Sequence, residues 1–324
     1  MSWHLFGICV TGHGVAANNR GETEGHITTL QKILWNGEVH TTVSAEAIRW
    51  AMRYHWQRCG LPVNRTWDEA AAQHRWQDPT FSRWAEDTAE VPIDDDVLGF
   101  MSARSGAEEG NAAEAAPASA GRGRAKPRGR VDKRRAPLEV ARAVSLTPFA
   151  GDITFNAAGI GATPSASRTG QDPVPYGTEV HATRYQYGFA LTPEALRLQK
   201  RVLDVIDAVL NLPEVAGNHA RFLFDFSPEV AVFRWTQDFA PRMLYGFSQS
   251  DEGTATLDVV LNKVRHGDID PRELIVGGAP ADRPEVAALR EAGADCHPGV
   301  KAAGAALKNR IARSLHLGTD GGGE

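Results

Sequence analysis

The chain has 324 residues, 42% of them hydrophobic, with 35 Lys or Arg against 40 Asp or Glu and a formal net charge of -5. That suffices to bury a core in one large domain with insertions or in two ordinary domains, and the three cysteines (Cys9, Cys59, Cys296) form neither a CxxC pair nor an even disulfide framework, as in a reducing cytosol. No apolar run reaches the roughly 18 residues of a membrane-spanning helix, and MSWHLFGICVTG lacks the basic segment and apolar core of a signal peptide, so a soluble cytoplasmic protein with no membrane partner is expected.

Residues 3–10 (WHLFGICV) are short, apolar and β-compatible, and Gly12 and Gly14 follow as turn residues, which predicts a buried first strand ending in a loop. The loop is polar and punctuated by glycine: Asn18, Asn19, Arg20, Gly21, Glu22, Thr23, Glu24, Gly25. Ile27 to Leu34 and Val39 to Val43 flank Asn36-Gly37, the strongest two-residue hairpin signal.

Ser44 is placed to cap a helix, Glu46 sits where the helix dipole favours an anion, and Val43 with Ile48 has staple spacing. Gly60 stops the helix. Ile48, Met52, Trp56 and Cys59 form its apolar stripe, while Arg49 and Arg53, four apart, share another face. His55 and Cys59 have half the spacing of a metal site, but no second pair completes it, so no metal is expected.

A helix is expected near Trp67 to Trp76. Trp56, Trp67, Trp76 and Trp84 are dense enough to offer a base-stacking surface, although packing is the favoured role. In VPIDDDVLGFM three aspartates precede an apolar run; a loop ahead of a strand is preferred over a divalent-ion site.

Residues 102–136 read as an inserted loop, rich in Ala, Gly, Ser, Pro and charge, that cannot bury enough apolar surface to order itself. Its second half, 121–135, holds eight Arg or Lys against one Asp, leaving -12 on the rest of the chain. Such segregation matters more to a phosphate backbone than the mean charge does.

Order resumes with the strand LEVARAVSLTPF. Residues 156–180 are a Gly- and Pro-rich excursion leading into HATRYQYGFAL, a strand with Thr183, Tyr185, Tyr187 and Phe189 on one side. Thr192 and Pro193 open a second helix carrying Leu198, Val202, Val205, Ile206 and Val209, which ends before Pro213. Strands are expected at 220–226 and 230–235 and over MLYGF. A helix near Thr256 to Val264, the strand ELIVG and helices opened by Pro284 and Pro298 follow, before the tail GTDGGGE.

The coarse order is strand, helix, strand, insertion, strand, helix, strand. This α+β pattern is compatible with a βαββαβ ferredoxin-like sheet, the arrangement that also underlies RNA-recognition domains.

NNRGETEGHITTLQKILWNG, VSAEAIRWAMR, DDDVLGFM and RRAPLEVARAVSLTPFAGDITFN occur in that order over the first half of the chain. With them the sequence resembles the DevR-type CRISPR-associated family, the Cas-seven backbone subunit of type I Cascade complexes, most like type I-B. The resemblance implies a modified RRM-like palm. It places the first half of the palm in 1–60 and a finger or helical insertion in 61–143, with the basic loop 102–136 disordered. The second half of the palm is 144–324, with a thumb-like hairpin at 156–180.

It also implies a subunit without catalytic residues or cofactor that polymerises along crRNA with other Cascade subunits and leaves bases free to pair with target DNA. Asn18, Asn19, Arg20, Thr23, Gly25, Ser44, Arg49, Arg53 and Arg168 match positions expected to touch guide RNA. Lys126, Arg128, Arg130, Lys133, Arg134 and Arg135 fall in a finger loop near nucleic acid. Ala45, Glu46 and Trp50 depart from the family's usual helix start, which leaves that grip to Ser44, Arg49, Arg53 and main chain. Two other readings are an RNA-guided endoribonuclease of type III kind using Glu22 or Glu24, and a DNA-binding autoregulator, against which no helix-turn-helix is evident.

Overall fold

The computed structural model describes residues 2–18, 20–85, 91–103, 131–157, 175–212, 214–216, 223–250 and 253–317. Among them no helix is long and apolar enough to cross a membrane.

The axis of the molecule is the strand His4–Thr11. Its run HLFGICVT is buried along its whole length, as a strand covered on both faces should be. It pairs antiparallel with Tyr185–Leu191 on one side and with Pro228–Thr236 on the other. Among the described residues the sheet has nine strands. It runs Asp295–His297, Leu274–Gly277, Pro228–Thr236, His4–Thr11, Tyr185–Leu191, Ala143–Ser145, Glu38–Val43, Lys32–Trp35, with Leu138–Val140 also pairing Tyr185–Leu191. The first two strands in this order are parallel to each other; the other ladders are antiparallel.

Side-chain alternation along the axis strand divides the core. Leu5 and Cys9 point into one layer with Ile48, Met52 and Trp56 of the helix Ala45–Arg58, Val202, Val205 and Ile206 of the helix Arg201–Leu210, and Leu307 and Ile311 of the helix Val300–Ser314. Phe6, Ile8 and Val10 point into the other, with Val260 and Leu261 of the helix Asp258–Arg265 and Val286 and Leu289 of the helix Pro284–Ala292. Each such aliphatic side chain, fully buried, contributes roughly 1.5–3 kcal/mol. Trp56 Nε1 donates to the carbonyl of Asp204 at 3.1 Å and ties the first two helices together.

Local signals predict much of this. Asn36 and Gly37 take φ of 50° and 86°, the turn conformation that joins Lys32–Trp35 to Glu38–Val43. Ser44 Oγ accepts the Ala47 N–H at 3.2 Å, and the staple pair Val43 and Ile48 is buried. Cys59 caps the helix and is exposed rather than part of the apolar stripe, and Gly60 takes a φ of 77° beyond it.

Elsewhere the chain departs from expectation. Trp67 to Trp76 is a hairpin, Arg65–Asp68 against Gln73–Trp76, because Asp68 Oδ1 accepts the Ala70 and Ala71 N–H groups, each at 3.0 Å, and folds the turn. The three aspartates lie in a helix, Ile93–Leu98, buried over all six residues, and not in a loop. Both described ends of 102–136 are ordered: Val131–Arg134 pairs antiparallel with Phe100–Ala103, while 104–130 lies outside the described residues.

The expected strand at 181–191 is two, His181–Thr183 pairing with Gly14–Ala16 and Tyr185–Leu191 in the large sheet. Thr192 and Pro193 open only a single 3-10 turn, and the helix begins at Arg201. Residues 223–226 form no strand, although Phe224 and Phe226 fill the core. Neither does MLYGF, where Arg242 and Tyr245 at φ of 56° and 54° break the extended run. The C-terminal helices and the strand Leu274–Gly277 form as predicted, and the tail 318–324 lies outside the described residues.

Candidate nucleic-acid interface

Arg49 and Arg53 lie beside the apolar stripe of Ala45–Arg58, and buried groups fix both. Arg49 Nη2 donates to the carbonyl of Leu98 at 2.5 Å, and Arg53 Nε donates to Asp94 Oδ2 at 3.0 Å. Asp94 also accepts the backbone N–H groups of Asn64 and Arg65, at 2.7 and 3.1 Å. Each guanidinium carries five N–H donors in a planar fork, so one edge is anchored and the remaining donors are free to meet an oxyanion. Burial lowers the pKa of both arginines, partly offset by Glu46 at Arg49 and by Asp94 at Arg53.

These side chains open into a cleft of about 530 Å³. Arg65 and Arg134 join them in its lining, with Trp76, Phe100 and Met101 as apolar wall and Glu46, Asp94 and Asp95 as acids. Arg65 Nε is buried without a hydrogen-bond partner among the described residues. Burial, reinforced by the neighbouring Asp94, raises the Asp95 carboxyl to about 7. Arg65, Phe100 and Met101 are not singled out by the sequence; Trp76 is, as one of four tryptophans that could offer a stacking surface, although packing is the favoured role and a helix is expected where the hairpin forms.

Asp96 holds the far side of the cleft. Fully buried, its carboxylate takes Arg134 Nη2 at 2.7 Å and Arg201 Nη1 at 2.8 Å, and accepts the backbone N–H groups of Arg197 and Leu198 at 2.8 and 3.1 Å. The Arg134 and Arg197 guanidiniums lie over the Trp84 ring, 4.1 and 3.8 Å from its centre. The aspartate triplet thus collects arginines and main chain, and no group of residues able to hold a metal occurs among the described residues. Gly99 makes the closure possible: at φ 66° and ψ 176°, a Cβ there would lie 2.5 Å from the Arg134 carbonyl oxygen, in a backbone region reserved for glycine.

The other expected contacts lie elsewhere. Asn18 is buried and donates through Nδ2 to the carbonyl of Val215 at 2.7 Å, which ties its side-chain amide to the fold. Ser44 likewise spends its oxygen on the cap. Arg20, Thr23 and Gly25 are exposed on a hairpin, Arg20–Glu24 against Ile27–Leu30, where a loop was expected. That hairpin pairs through Ile27–Thr28, in parallel, with Tyr176–Glu179, which in turn pairs with Ile153–Asn156. The two ends of the predicted thumb therefore share a four-stranded sheet with the polar loop. Lys133 and Arg135 are exposed, and Arg135 pairs with Glu139 at 2.5 Å. Asn19, Arg168, Lys126, Arg128 and Arg130 lie outside the described residues.

No protein-family model matches the chain. The chain shares its fold with solved structures, including the following two. One, from a "CRISPR RNA-guided surveillance complex, pre-nicking", superposes with a TM-score of 0.59 over 95% of this chain and 100% of that one, at 11% identity. The other, from a "CRISPR RNA-guided surveillance complex", gives 0.51 over 96% and 99%, at 14% identity. A protein of Myxococcus xanthus (strain DK1622), described as "CRISPR-associated protein Cas7/Cst2/DevR", is 51% identical over 318 residues, 96% of this chain and 98% of that protein. Identity at that level along almost the whole length makes this chain a member of the Cas7/Cst2/DevR family of CRISPR-associated proteins.

Proposed function

We propose that the chain is a non-catalytic backbone subunit of a CRISPR effector of the Cascade kind, most like type I-B, working in the cytoplasm. Copies polymerise along crRNA, grip its phosphates and leave short runs of bases free to pair with target DNA. The protein then holds backbone and shape while base pairing reads sequence. The observation that carries this reading is the arginine cleft, in which Arg49 and Arg53 present donors already anchored on one edge and Arg65 adds a buried Nε without a partner among the described residues.

The order Pro228–Thr236, His4–Thr11, Tyr185–Leu191, then Leu138–Val140 and Ala143–Ser145, with helices 45–58 and 201–210 as crossovers, supports a βαββαβ palm of RRM type. On this reading Arg20, Thr23 and Gly25 offer a second phosphate contact on their hairpin. Arg168, within 156–180, serves as a thumb contact, and Asn19 adds main chain. Lys126, Arg128, Arg130, Lys133 and Arg135 supply non-specific attraction, while Arg134 acts as a wall of the cleft.

Nuclease protection tests the proposal. Purified chain added to guide-length RNA should protect it in a repeating footprint whose length grows by one period per bound copy. Uniform digestion at saturating protein would sink the reading.

A further inference from the structure

The arginine cleft contains a feature that phosphate binding leaves unused. Trp76 is 47% exposed, yet its indole is held in place: it packs edge-on against Phe81 at 5.7 Å, and Phe81 stacks on Phe100 at 4.1 Å with 11° between the rings. The Arg65 guanidinium lies 5.9 Å from the centre of the Trp76 ring. A half-exposed indole, a cation over the ring and a buried unpartnered Nε thus meet in one space of about 530 Å³. That volume falls within the roughly 300–1,000 Å³ of small-ligand clefts, so it admits a nucleotide unit rather than a folded partner.

We propose that the cleft is a receptor for one nucleotide of single-stranded RNA, its base stacked on Trp76 and its phosphate held by Arg49, Arg53 and Arg65. The proposal rests on the reading that this chain binds guide RNA, and adds that the protein takes hold of a base as well as the backbone. An acidic peptide would satisfy the arginines but leave the indole uncovered. Stacking also suits a guide of arbitrary sequence, because every base has a π-face and none is selected by its edge. Asp95 on the cleft floor, raised to about 7 by burial and by Asp94, repels the incoming phosphate less than an ordinary carboxylate would.

The test uses the full chain with single-stranded RNA carrying 5-iodouridine. Irradiation should attach RNA to the peptide containing Trp76. Trp76→Leu should weaken binding about tenfold, the loss of one base–aromatic stack, with the salt dependence of binding unchanged, and Trp76→Phe should recover most of it. Cross-links confined to other aromatics, or wild-type affinity in a folded Trp76→Leu protein, would overturn the base receptor. So would displacement of RNA from Trp76 by polyglutamate at equal charge, which assigns the cleft to an acidic peptide. Arg49→Gln and Arg65→Gln separate the two readings, since an unchanged salt dependence in both defeats the phosphate grip, whereas a normal arginine effect with a silent Trp76 defeats only the base receptor.

Discussion

Replacing Arg49 and Arg53 by glutamine, singly and together, gives the sharpest check on the phosphate grip. For single-stranded nucleic acid each neutralised phosphate contributes about 0.7 to the slope of log K against log salt. Arg49→Gln should therefore lower the slope by about 0.7, and the double variant by about 1.4 if the two side chains serve separate phosphates. Stability responds differently. Arg49 loses one hydrogen bond to the Leu98 carbonyl, worth about 0.5–1.5 kcal/mol. Arg53→Gln leaves the buried Asp94 carboxylate with only the Asn64 and Arg65 N–H groups, a loss of about 1–3 kcal/mol. Fluorescence anisotropy of labelled RNA across a salt series reads the slope, and thermal melting reads the stability. A folded Arg49→Gln protein with the wild-type slope would refute the assignment. Equal slopes for single and double variants would mean that one phosphate is shared.

Asp96→Asn should cost about 3–5 kcal/mol, because it unpairs the Arg134 and Arg201 guanidiniums around a fully buried carboxylate; a Tm within a degree of wild type would contradict the clasp. Gly99→Ala should destabilise the chain and disturb the Phe100–Ala103 and Val131–Arg134 ladder, which amide exchange would detect as faster exchange at those residues. Asp95 has a raised carboxyl, so the folded state holds a proton that the unfolded state has released. Stability should then fall as pH rises from about 4 to about 7, and Asp95→Asn should raise Tm at pH 8 while changing it little at pH 4; equal shifts at both would refute the burial of that charge. Glu24, exposed on its hairpin, should be dispensable: with complementary RNA and Mg²⁺, Glu24→Ala should change nothing, and cleavage abolished by it would replace the non-catalytic reading with an endoribonuclease.

Where the sequence was legible, the determinant was local. Asn36-Gly37 dictates its turn, Ser44 its cap and Pro284 its helix, whatever the rest of the chain does. Spacing alone places Arg49 and Arg53 on one helix face, and only the family resemblance marks them as candidate ligands. The failures have distant causes. Thr192-Pro193 has the chemistry of a helix start, but Asp96, about a hundred residues earlier, captures the N–H groups of Arg197 and Leu198 and delays the helix to Arg201. The three buried aspartates likewise have partners far off in sequence: Arg53 for Asp94, the Asn64 side chain for Asp95, and Arg134 and Arg201 for Asp96. Trp67 to Trp76 was misread because two Asp68 hydrogen bonds outweigh helix-compatible alanines. That error hid Arg65 and the way the hairpin brings it together with Trp76, whose stacking potential the tryptophan density suggests.

Glu179 links two arms that the chain order keeps apart. Its Oε2 accepts the Leu30 N–H at 2.7 Å and the Lys32 ammonium at 2.6 Å, beside the parallel pairing of Gly177 and Thr178 with Ile27 and Thr28. The strands 153–156 and 176–179 and the hairpin carrying Arg20 are thereby joined in one four-stranded sheet. A displacement of strand 176–179 would therefore be carried to the hairpin of Arg20 through this pairing and the two Glu179 contacts. Cutting the rivet with Glu179→Gln should let the two arms move independently while the core melts as before.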